Sequence, residues 1–570
     1  MSKLLYTLMA MLFLALPFVS YGQDMILEDY STSGNLYLNA LIAADTSSTA
    51  FQSGTRVYVL RKNGTYRLNT QLTFANKVLK FRAEYGSNNH YDPTIYLYPG
   101  TNGNPPGAFA NLAGGSISLK HILLTGYFEP IDSNLDHLQG SLITLNASGS
   151  GGSVYVDSCV LKSINGQAIR TDGKPVTVRA TNTIFADLGF EGTSNFGAGK
   201  GIDLRDQDVD TCDIQNCTFV NYQDRIIRHY QANKGPIRNF IFNHNTVVNG
   251  VAYHGFLSLG RVDSSGNGIL QIKNNVFVDH FALGADTAVI RQAEFSDPTE
   301  LDVTNGFPRM AWVLTNPNSA AKWDITNNYY AVSDSGAAML SLALPNGPFY
   351  QNAGPGLTWK MNTVLAGQGK DSTKTFTKIT GLKLAKTPPL MTNMIRWIYR
   401  PRADGGDGKQ KNGNDPNFTK ASPGHWTYDY NRKSIEYYFD TLNCKISAPQ
   451  AGLTALVSSD GKIIGDQRWG TPVLGVGRTE NVPNSFSLEQ NYPNPFNPAT
   501  FIVYSVPAQS KVKLEVFNVL GQKVATLVNE TKTAGQYTVN FDASSLSSGV
   551  YMYRLSTETQ TVAKKMVLMK

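Results

Sequence analysis

The chain has 570 residues, of which 16% are charged and 11% aromatic, and its formal net charge is +7. This low charge and the 51 glycines indicate a folded, turn-rich chain and argue against intrinsic disorder. The positive charges form no concentrated basic tract, so no nucleic-acid partner is predicted; the charge would suit an anionic polymer or an ordinary surface equally well.

The N-terminal segment has the features of an export signal. Lys3 is followed by an apolar run to Val19, and the small residues Ser20 and Gly22 come next. This order predicts a secretory signal peptide over residues 1–22, with cleavage near Gly22. No later run is long and apolar enough to span a bilayer, so we expect an exported chain without a transmembrane segment.

The next segment predicts a cap for a stacked fold. "NLYLNALIAADT" (Asn35–Thr46) places apolar residues at helical spacing, and "TRVYVLRKNGTYRLNTQLTF" then gives strand, turn and strand. Because an uncapped sheet end invites association with other chains, we expect this helix to cover the open end of the stack.

A short motif recurs through the middle of the chain. It joins a polar turn, often with Asn, to a branched or aromatic closing residue. Its copies are "DSCV" (157–160), "NTIF" (182–185), "NCTF" (216–219), "HNTV" (244–247), "NNVF" (274–277) and "NNYY" (327–330). Asn tolerates left-handed backbone, and stacked asparagines can bond one another while stacked phenylalanines fill an interior. The period predicts an all-β chain whose residues 23–475 form a right-handed parallel β-helix, with three short strands in each coil.

This middle region resembles the pectate-lyase-like superfamily of β-helix proteins. The resemblance rests on the repeated motif, on "VYVLRKNGTYRLNTQL" near the start and on "GKIIGDQRWG" (Gly461–Gly470) near the end. The last string is similar to the closing segment of lyase-like β-helix proteins from Bacteroidetes. The resemblance implies the fold but leaves the activity open, because this fold hosts lyases, hydrolases, esterases and binding proteins.

The four cysteines predict no disulfide framework or zinc site. Cys212 and Cys217 could pair if a turn brings them together, and buried free thiols are an equal alternative. The spacing matches no zinc site. The other two cysteines are Cys159 and Cys444.

The strand after each turn brings an arginine to a similar place on successive rungs. Arg170, Arg205, Arg228 and Arg291 recur in this way. Rungs stack about 4.8 Å apart, close to sugar-ring dimensions. A column of guanidiniums suits a chain of carboxylates or sulfates, because Arg makes planar bidentate contacts. The alternative is that these arginines bond loop carbonyls or neighbouring acids on an outer face.

One rung clusters the groups that β-elimination of a uronic acid requires. That reaction needs a cation to neutralise the carboxylate, a base to remove the C5 proton and an acid for the leaving oxygen. "GKGIDLRDQD" supplies Lys200, Asp203, Arg205 and Asp206, one rung before Arg228. The sequence therefore predicts Arg228, Lys200 and Arg205 as catalytic residues.

The stretch "RIIRHYQANKGPIRNFIFNHNTV" is similar to the arginine-bearing rung of chondroitinase-B-like and alginate lyases. By this resemblance Arg228 is the catalytic arginine, and Ca²⁺ is a possible cofactor bound by Asp203 and Asp206 on the preceding rung. The chain departs from the family where His229 is followed by Tyr230 instead of Gly. The family's catalytic lysine has no direct counterpart, and Lys200 and Arg205 stand near its place.

Three further residues complete the predicted substrate contacts. They are Arg170, Arg291 and His229. Strand alternation limits the role of the last one: if Arg228 faces a groove, His229 points inward or into the turn and is secondary.

Two other motifs bear on different chemistry. Polygalacturonase-type hydrolysis needs paired carboxylates, but no "DD" occurs and His254 in "YHGF" has only part of a Gly-His-Gly motif. Asp404–Asp415 could bind Ca²⁺ but matches neither the EF-hand loop nor the nonapeptide calcium repeat, so a surface loop is favoured. The aromatic residues that flank this loop could either pack against the side of the β-helix or stack on sugars. They are Trp397, Tyr399, Trp426, Tyr428 and Tyr430.

The last part of the chain is a separate domain. After a polar linker (476–484), residues 485–570 contain alternating strands such as "TFIVYSV" and "VKLEVFN", which predict a small Ig-like β-sandwich. "NYPNPFNPAT", "VFNVLGQKVATLV", "AGQYTVNFDASSLSSGVYMYRL" and "KKMVLMK" resemble the C-terminal sorting domain of type IX secretion. The resemblance implies passage across the outer membrane by that machinery, followed by release or anchoring at the cell surface.

Together these features predict a secreted or cell-surface protein, expected to be monomeric. The predicted function is a polysaccharide lyase-like enzyme that cleaves an acidic glycan by β-elimination. The alternative is a non-catalytic β-helix that binds glycan or acts as an adhesin.

Overall fold

The computed structural model divides the chain into two compact units, Met1–Val473 and Leu474–Lys570. It describes residues 20–21, 24–84, 93–100, 103–126, 140–149, 151–164, 166–173, 175–189, 199–205, 208–222, 225–229, 235–250, 256–259, 261–263, 265, 267–280, 311–313, 321–334, 336–337, 343–344, 347–348, 364–386, 442–446, 458, 462–469, 486–488, 491, 496, 498–532 and 535–569. The predicted linker and almost all of the predicted signal peptide lie outside these ranges.

Short strands are the main elements in the described residues of the first unit. Among these residues, the helices of this unit are α1 (Leu38–Asp45), α2 (Thr49–Gln52), helical residues at 334 and 336–337, a helical turn at 364–367, and the 3-10 turns Ser372–Lys374 and Gln467–Trp469. Its strands are β1 (Ser20–Tyr21), β2 (Asp24–Leu27), β3 (Val57–Leu60), β4 (Thr65–Leu68), β5 (Leu72–Ala75), β6 (Val78–Ala83), β7 (Thr94–Leu97), β8 (Ala110–Ala113), β9 (Ser116–Lys120), β10 (Leu123–Thr125), β11 (Ser141–Leu145), β12 (Ser153–Asp157), β13 (Val160–Ile164), β14 (Gln167–Thr171), β15 (Val176–Thr181), β16 (Ile184–Leu188), β17 (Lys200–Arg205), β18 (Val209–Gln215), β19 (Thr218–Tyr222), β20 (Ile227–His229), β21 (Ile237–Asn243), β22 (Thr246–Gly250), β23 (Leu257–Leu259), β24 (Leu270–Lys273), β25 (Val276–His280), β26 (Ala311–Val313), β27 (Trp323–Thr326), β28 (Asn328–Ala331), β29 (Ala343–Leu344), β30 (Gly347–Pro348), β31 (Phe376–Lys378), β32 (Leu384–Lys386) and β33 (Asn443–Ile446).

These strands form a parallel β-helix with three faces. Sheet A has the order β1-β2-β3-β6-β9-β12-β15-β18-β21-β24-β27, sheet B the order β31-β28-β25-β22-β19-β16-β13-β10-β7-β4, and sheet C the order β26-β23-β20-β17-β14-β11-β8-β5. From β3 to β28, successive strands pass from sheet A to B to C and back to A. Strand neighbours in these sheets are parallel, apart from the antiparallel pair β1 and β2. The predicted fold class is confirmed.

The repeated turn has the left-handed backbone that its Asn content predicts. Asn182, Asn216, Asn274 and Asn327 all adopt left-handed backbone, with φ between 50° and 59°. The residue after each left-handed position points inward. Where that residue is Asn, its side-chain amide bonds to the corresponding Asn on the next rung. Asn245 donates from Nδ2 to Oδ1 of Asn275 at 3.1 Å, and Asn275 donates to Oδ1 of Asn328 at 2.8 Å. These bonds satisfy polar groups that would otherwise be costly to bury.

Aromatic and branched side chains fill the interior of the coil. The rings of Phe185 and Phe219 stack with centroids 4.7 Å apart and planes 7° from parallel. Both residues are fully buried. The predicted stacking of phenylalanines is therefore confirmed.

Helix α1 packs on the first rungs, as its apolar spacing predicts. Leu38 and Ile42 are fully buried in the same core as the strands. Arg56 donates from Nε to Asp45 Oδ2 at 2.7 Å, and Tyr58 donates its hydroxyl to the same oxygen at 3.1 Å. The end of the helix is therefore tied to the first rung by a buried ion pair.

A segment near the end of this unit crosses several rungs. In this strap (residues 462–469), the Gly465 amide donates to the Asn274 carbonyl at 2.7 Å. Asp466 accepts from the Thr218 hydroxyl at 2.6 Å, and Arg468 donates from Nη1 to the Asn182 carbonyl at 2.6 Å. The Asp466 amide also donates to the Thr246 hydroxyl at 2.9 Å, so the strap ties together turns from four rungs.

All four cysteines are buried free thiols, so Cys212 and Cys217 do not pair. Burial raises the pKa of each thiol, to about 12 for Cys159. Neutral, enclosed thiols behave as small apolar side chains, and these four are therefore packing residues.

The second unit is an antiparallel β-sandwich. The strands are β34 (Ser487–Leu488), β35 (Ala499–Val506), β36 (Ser510–Asn518), β37 (Lys523–Lys532), β38 (Gly535–Asp542), β39 (Gly549–Ser556) and β40 (Thr561–Leu568). One sheet has the order β34-β35-β38 and the other β37-β36-β39-β40. Both sheets contribute to one core, which includes Ile502 and Tyr504 from the first and Leu514 and Tyr553 from the second.

Within the parts of the chain that the structure describes, no helix combines the length and apolar character needed to cross a membrane.

Candidate functional site

The outer face of sheet C carries the predicted arginines. Arg170, Asp203 and Arg228 are register partners on β14, β17 and β20. The residues just before them on these strands pair in register too, and they belong to the core: Ile169, Ile202 and Ile227. Because side chains alternate along a strand, Arg170, Asp203 and Arg228 lie on the outer face.

Arg228 and Asp203 form a bidentate ion pair between adjacent rungs. Arg228 donates from Nε to Oδ1 at 2.9 Å and from Nη2 to Oδ2 at 2.6 Å. The Asp203 side chain is fully buried, whereas 13% of the Arg228 side chain is exposed. The guanidinium therefore covers the carboxylate and separates it from solvent.

Arg205 reaches the same carboxylate by an unusual backbone conformation. Its φ is 53°, and the strand register shifts between Asp203 and Arg205. The Arg205 amide donates to Asp203 Oδ1 at 3.1 Å, and Nη1 lies 4.0 Å from Oδ2. This bulge leaves Arg205 outside the column of Arg170 and Arg228, but still beside it.

The ion pairs continue towards the preceding rung. Arg205 Nε lies 3.4 Å from Oδ1 of Asp172, and Arg170 donates from Nε to Oδ2 of the same residue at 2.9 Å. Arginines and aspartates therefore alternate across three rungs. We call this set the arginine network: Arg170, Asp172, Arg205, Asp203 and Arg228. It contains three positive and two negative groups.

The network keeps Asp203 ionised. Burial pushes the pKa of Asp203 upward, but Arg228, Lys200 and Arg205 outweigh burial and hold the pKa below its usual value. The pairing of arginines with neighbouring acids is the alternative that the sequence left open. The guanidiniums of the network are therefore held in place by aspartates.

Lys200 and His229 do not reach the outer surface. Both side chains are fully buried. Lys200 is near enough to Asp203 to lower its pKa. His229 is on the opposite side of β20 from Arg228, in line with the expected alternation. Neither residue is therefore placed to touch a ligand on this face.

Several predicted residues lie outside the described residues. Arg291, Asp206 and His254 belong to this group, as does the Asp404–Asp415 segment with its flanking aromatics. Their predicted roles stay predictions.

The described residues do not fit a calcium site at Asp203. Both carboxylate oxygens already accept hydrogen bonds from Arg228, which places a cation where Ca²⁺ would have to bind. In the described ranges, no cluster of three His, Cys, Asp or Glu side chains could hold a metal ion. No step proposed below uses calcium.

Two features of this unit were not predicted. One is Asp172, which joins Arg170 and Arg205 and was detectable only as the acid two residues after Arg170 in "RTDG". The other is a hydrogen bond between the buried Tyr222 hydroxyl and His280 Nδ1, two rungs apart. Gly250 lies between them, and any side chain there would meet both rings.

Comparison with known families identifies the second unit. The family model for the secretion system C-terminal sorting domain matches residues 490–569. The predicted type IX sorting domain is therefore confirmed, and the protein is secreted to the cell surface or the extracellular space. Comparisons with curated proteins and with solved structures give no match.

Proposed function

We propose that this secreted β-helix binds an acidic polysaccharide along the outer face of sheet C. The contacts are the three arginines of the arginine network. The observation that carries the proposal is that Arg170, Arg205 and Arg228 lie on three consecutive rungs, with side chains 35%, 32% and 13% exposed. Rungs about 4.8 Å apart match the size of a sugar ring, so an extended chain of acidic sugars could meet a guanidinium at each rung.

The aspartates of the network orient the arginines for this role. A guanidinium held by a carboxylate has lost much of its side-chain freedom before a ligand arrives, so binding costs less entropy. Three positive groups against two negative ones leave the arginine network with a net positive charge. Carboxylate and sulfate groups are the partners that planar guanidiniums favour.

Cleavage of the same glycan by β-elimination is the second candidate. Arg228 would neutralise the substrate carboxylate, and its fixed orientation favours that role because electrostatic stabilisation works best from a preorganised group. Binding without cleavage ranks first, because the predicted base Lys200 is fully buried. A base must come within hydrogen-bond reach of the proton it removes.

One experiment separates the two candidates. The purified full-length mature chain is incubated with alginate, pectate and chondroitin sulfate, and the ultraviolet absorbance of the unsaturated product is followed. Binding of the same polymers is measured by calorimetry, with dextran as the neutral control. Binding without absorbance supports the first candidate, and absorbance that Arg228→Ala abolishes supports the second. A chain that neither binds nor cleaves any acidic polymer contradicts both.

A further inference from the structure

The sorting domain exposes two adjacent apolar side chains at the tip of a hairpin. Val519 is 73% exposed and Leu520 is 78% exposed, in the turn between β36 and β37. The alternate residues of β36 behave in the opposite way, since Val512, Leu514 and Val516 are fully buried. Adjacent apolar side chains that are this exposed favour association with a partner.

The turn is braced so that these two side chains stay exposed. Asn518 Oδ1 accepts from the Leu520 amide at 3.1 Å and from the Gln522 amide at 3.0 Å. Asn518 Nδ2 donates to Gln522 Oε1 at 2.9 Å, and Gly521 supplies the left-handed residue with φ 76°. Several hydrogen bonds therefore hold the tip in one conformation.

The apolar surface continues from the tip onto the outer face of the sheet. Phe517 is the register partner of Met552, and Val550 lies on the same face of β39. Met552 and Val550 are each 41% exposed. We call these five residues the tip patch: Phe517, Val519, Leu520, Val550 and Met552.

Basic side chains border the tip patch. Lys565 is the register partner of Met552 on β40 and is exposed. Lys523 and Arg554 lie on either side of Glu515, which is only 8% exposed and contacts both at 3.2 Å. These three cations outnumber Glu515, which two of them cover, so this border is positive.

We propose that the tip patch is the surface through which this domain docks onto the type IX secretion machinery. The receptor surface is an apolar pocket with an acidic rim. This occupant is favoured because residues 490–569 match a secretion sorting domain, whose partner must recognise it, and because a positive rim needs a negative counterpart. Leu520 and Val519 are the anchors that enter the pocket.

The geometry explains why a small patch is enough for recognition. Interface free energy is concentrated in a few desolvated anchors at the centre, while the rim sets orientation. A tip already held in one conformation loses little entropy on binding. The inference concerns the second unit alone and is independent of the proposed glycan binding.

The test is export of the full-length chain in a host with a functional type IX system. For Val519→Asp/Leu520→Asp, the secreted and surface-bound fraction is expected to fall by about tenfold or more, the loss expected when charges replace apolar anchors. The chain should accumulate in the periplasm. The matched control Thr559→Asp adds a charge at the turn between β39 and β40, at the other end of β39, and should be exported as the parent is.

Two further variants separate a loss of docking from a loss of folding. Lys565→Glu should reduce export while leaving the domain folded by circular dichroism, because it reverses the rim charge without touching the core. If the double aspartate variant proves unfolded, Leu520→Ser carries the test, since it removes the anchor from an exposed site. Parental export of a folded Val519→Asp/Leu520→Asp chain, or of Leu520→Ser together with Lys565→Glu, would overturn the proposal.

Discussion

The Arg228 guanidinium lies across the Asp203 carboxylate, with two nitrogens at 2.9 and 2.6 Å from its two oxygens. The aspartate is fully buried and the arginine almost so. This pair joins β17 to β20 on the outer face of sheet C. It links two rungs of the arginine network through two hydrogen bonds.

The first prediction concerns that pair. Arg228→Ala leaves a buried carboxylate without its main partner, and we expect a loss of about 3 to 5 kcal/mol in the free energy of unfolding of the β-helix unit. Arg228→Ala/Asp203→Asn removes the unpaired charge and should recover part of the loss. Urea denaturation followed by circular dichroism measures both. Equal destabilisation in the two variants would contradict the pairing account.

The second prediction concerns low pH. The folded pKa of Asp203 lies below its usual 3.8, so the ionised carboxylate stabilises the folded state above that pH. The contribution is lost as the pH falls below 3.8 towards the folded pKa. Between pH 5 and pH 2, the parent should therefore lose more stability than Asp203→Asn. Parallel curves for the two proteins would show that Asp203 is not held ionised by the network.

The third prediction concerns His280. Burial lowers its pKa from 6.5 to about 3, so the folded state keeps the ring neutral where the unfolded chain protonates it. Stability therefore falls as the pH drops from 6.5 towards 3, by up to about 1.4 kcal/mol for each pH unit. His280→Gln should remove this slope, as measured by urea midpoints across that range. If the stability of His280→Gln falls with pH as steeply as that of the parent, another group causes the pH dependence.

The fourth prediction concerns the strap. Asp466→Ala deprives the mostly buried Arg468 of its carboxylate partner and Thr218 of its acceptor. We expect a loss of about 3 kcal/mol, by the cost of breaking a buried pair. The control is Asp324→Ala in the half-exposed pair with Lys273, which should change stability by less than about 1 kcal/mol.

Hydrogen exchange locates the effect of the strap substitution. Faster exchange in Asp466→Ala should be confined to the turns that the strap ties together, near Asn182, Thr218 and Asn274. If these turns exchange at the same rate in the parent and in Asp466→Ala, the strap does not stabilise them.

The sequence predicted the coil because the same residue types recur for the same backbone reason. The first left-handed position of each rung is Asn in four of the turns named above, and that recurrence is visible in the chain. A second left-handed position within the strands of sheet B was missed. It is occupied by Ser163, Asp187, Asn221, Asn249 and Asp279, a set too varied to stand out.

The arginines of the network were predicted to share a face, but their ion pairs with the aspartates were not predicted one by one. Arg170 and Arg228 recur at equivalent places, so repetition alone indicates their shared face. The position of Arg205 depends on a register shift and on its own left-handed backbone, which local propensity does not indicate. The burial of Lys200 depends on packing between rungs, which a single strand pattern cannot give.

The most direct test of the central claim compares glycan binding by two matched variants of the full-length mature chain. Arg170→Gln removes a half-exposed guanidinium of the arginine network. Arg179→Gln removes an exposed guanidinium from the outer face of sheet A, where it pairs with Asp213. Calorimetry with alginate, pectate and chondroitin sulfate should show a loss of about tenfold in affinity for Arg170→Gln, the usual scale for a charge-assisted contact. Arg179→Gln should bind as the parent does. Equal binding by the parent and both variants, or equal losses in the two variants, would contradict a glycan-binding role for the arginine network.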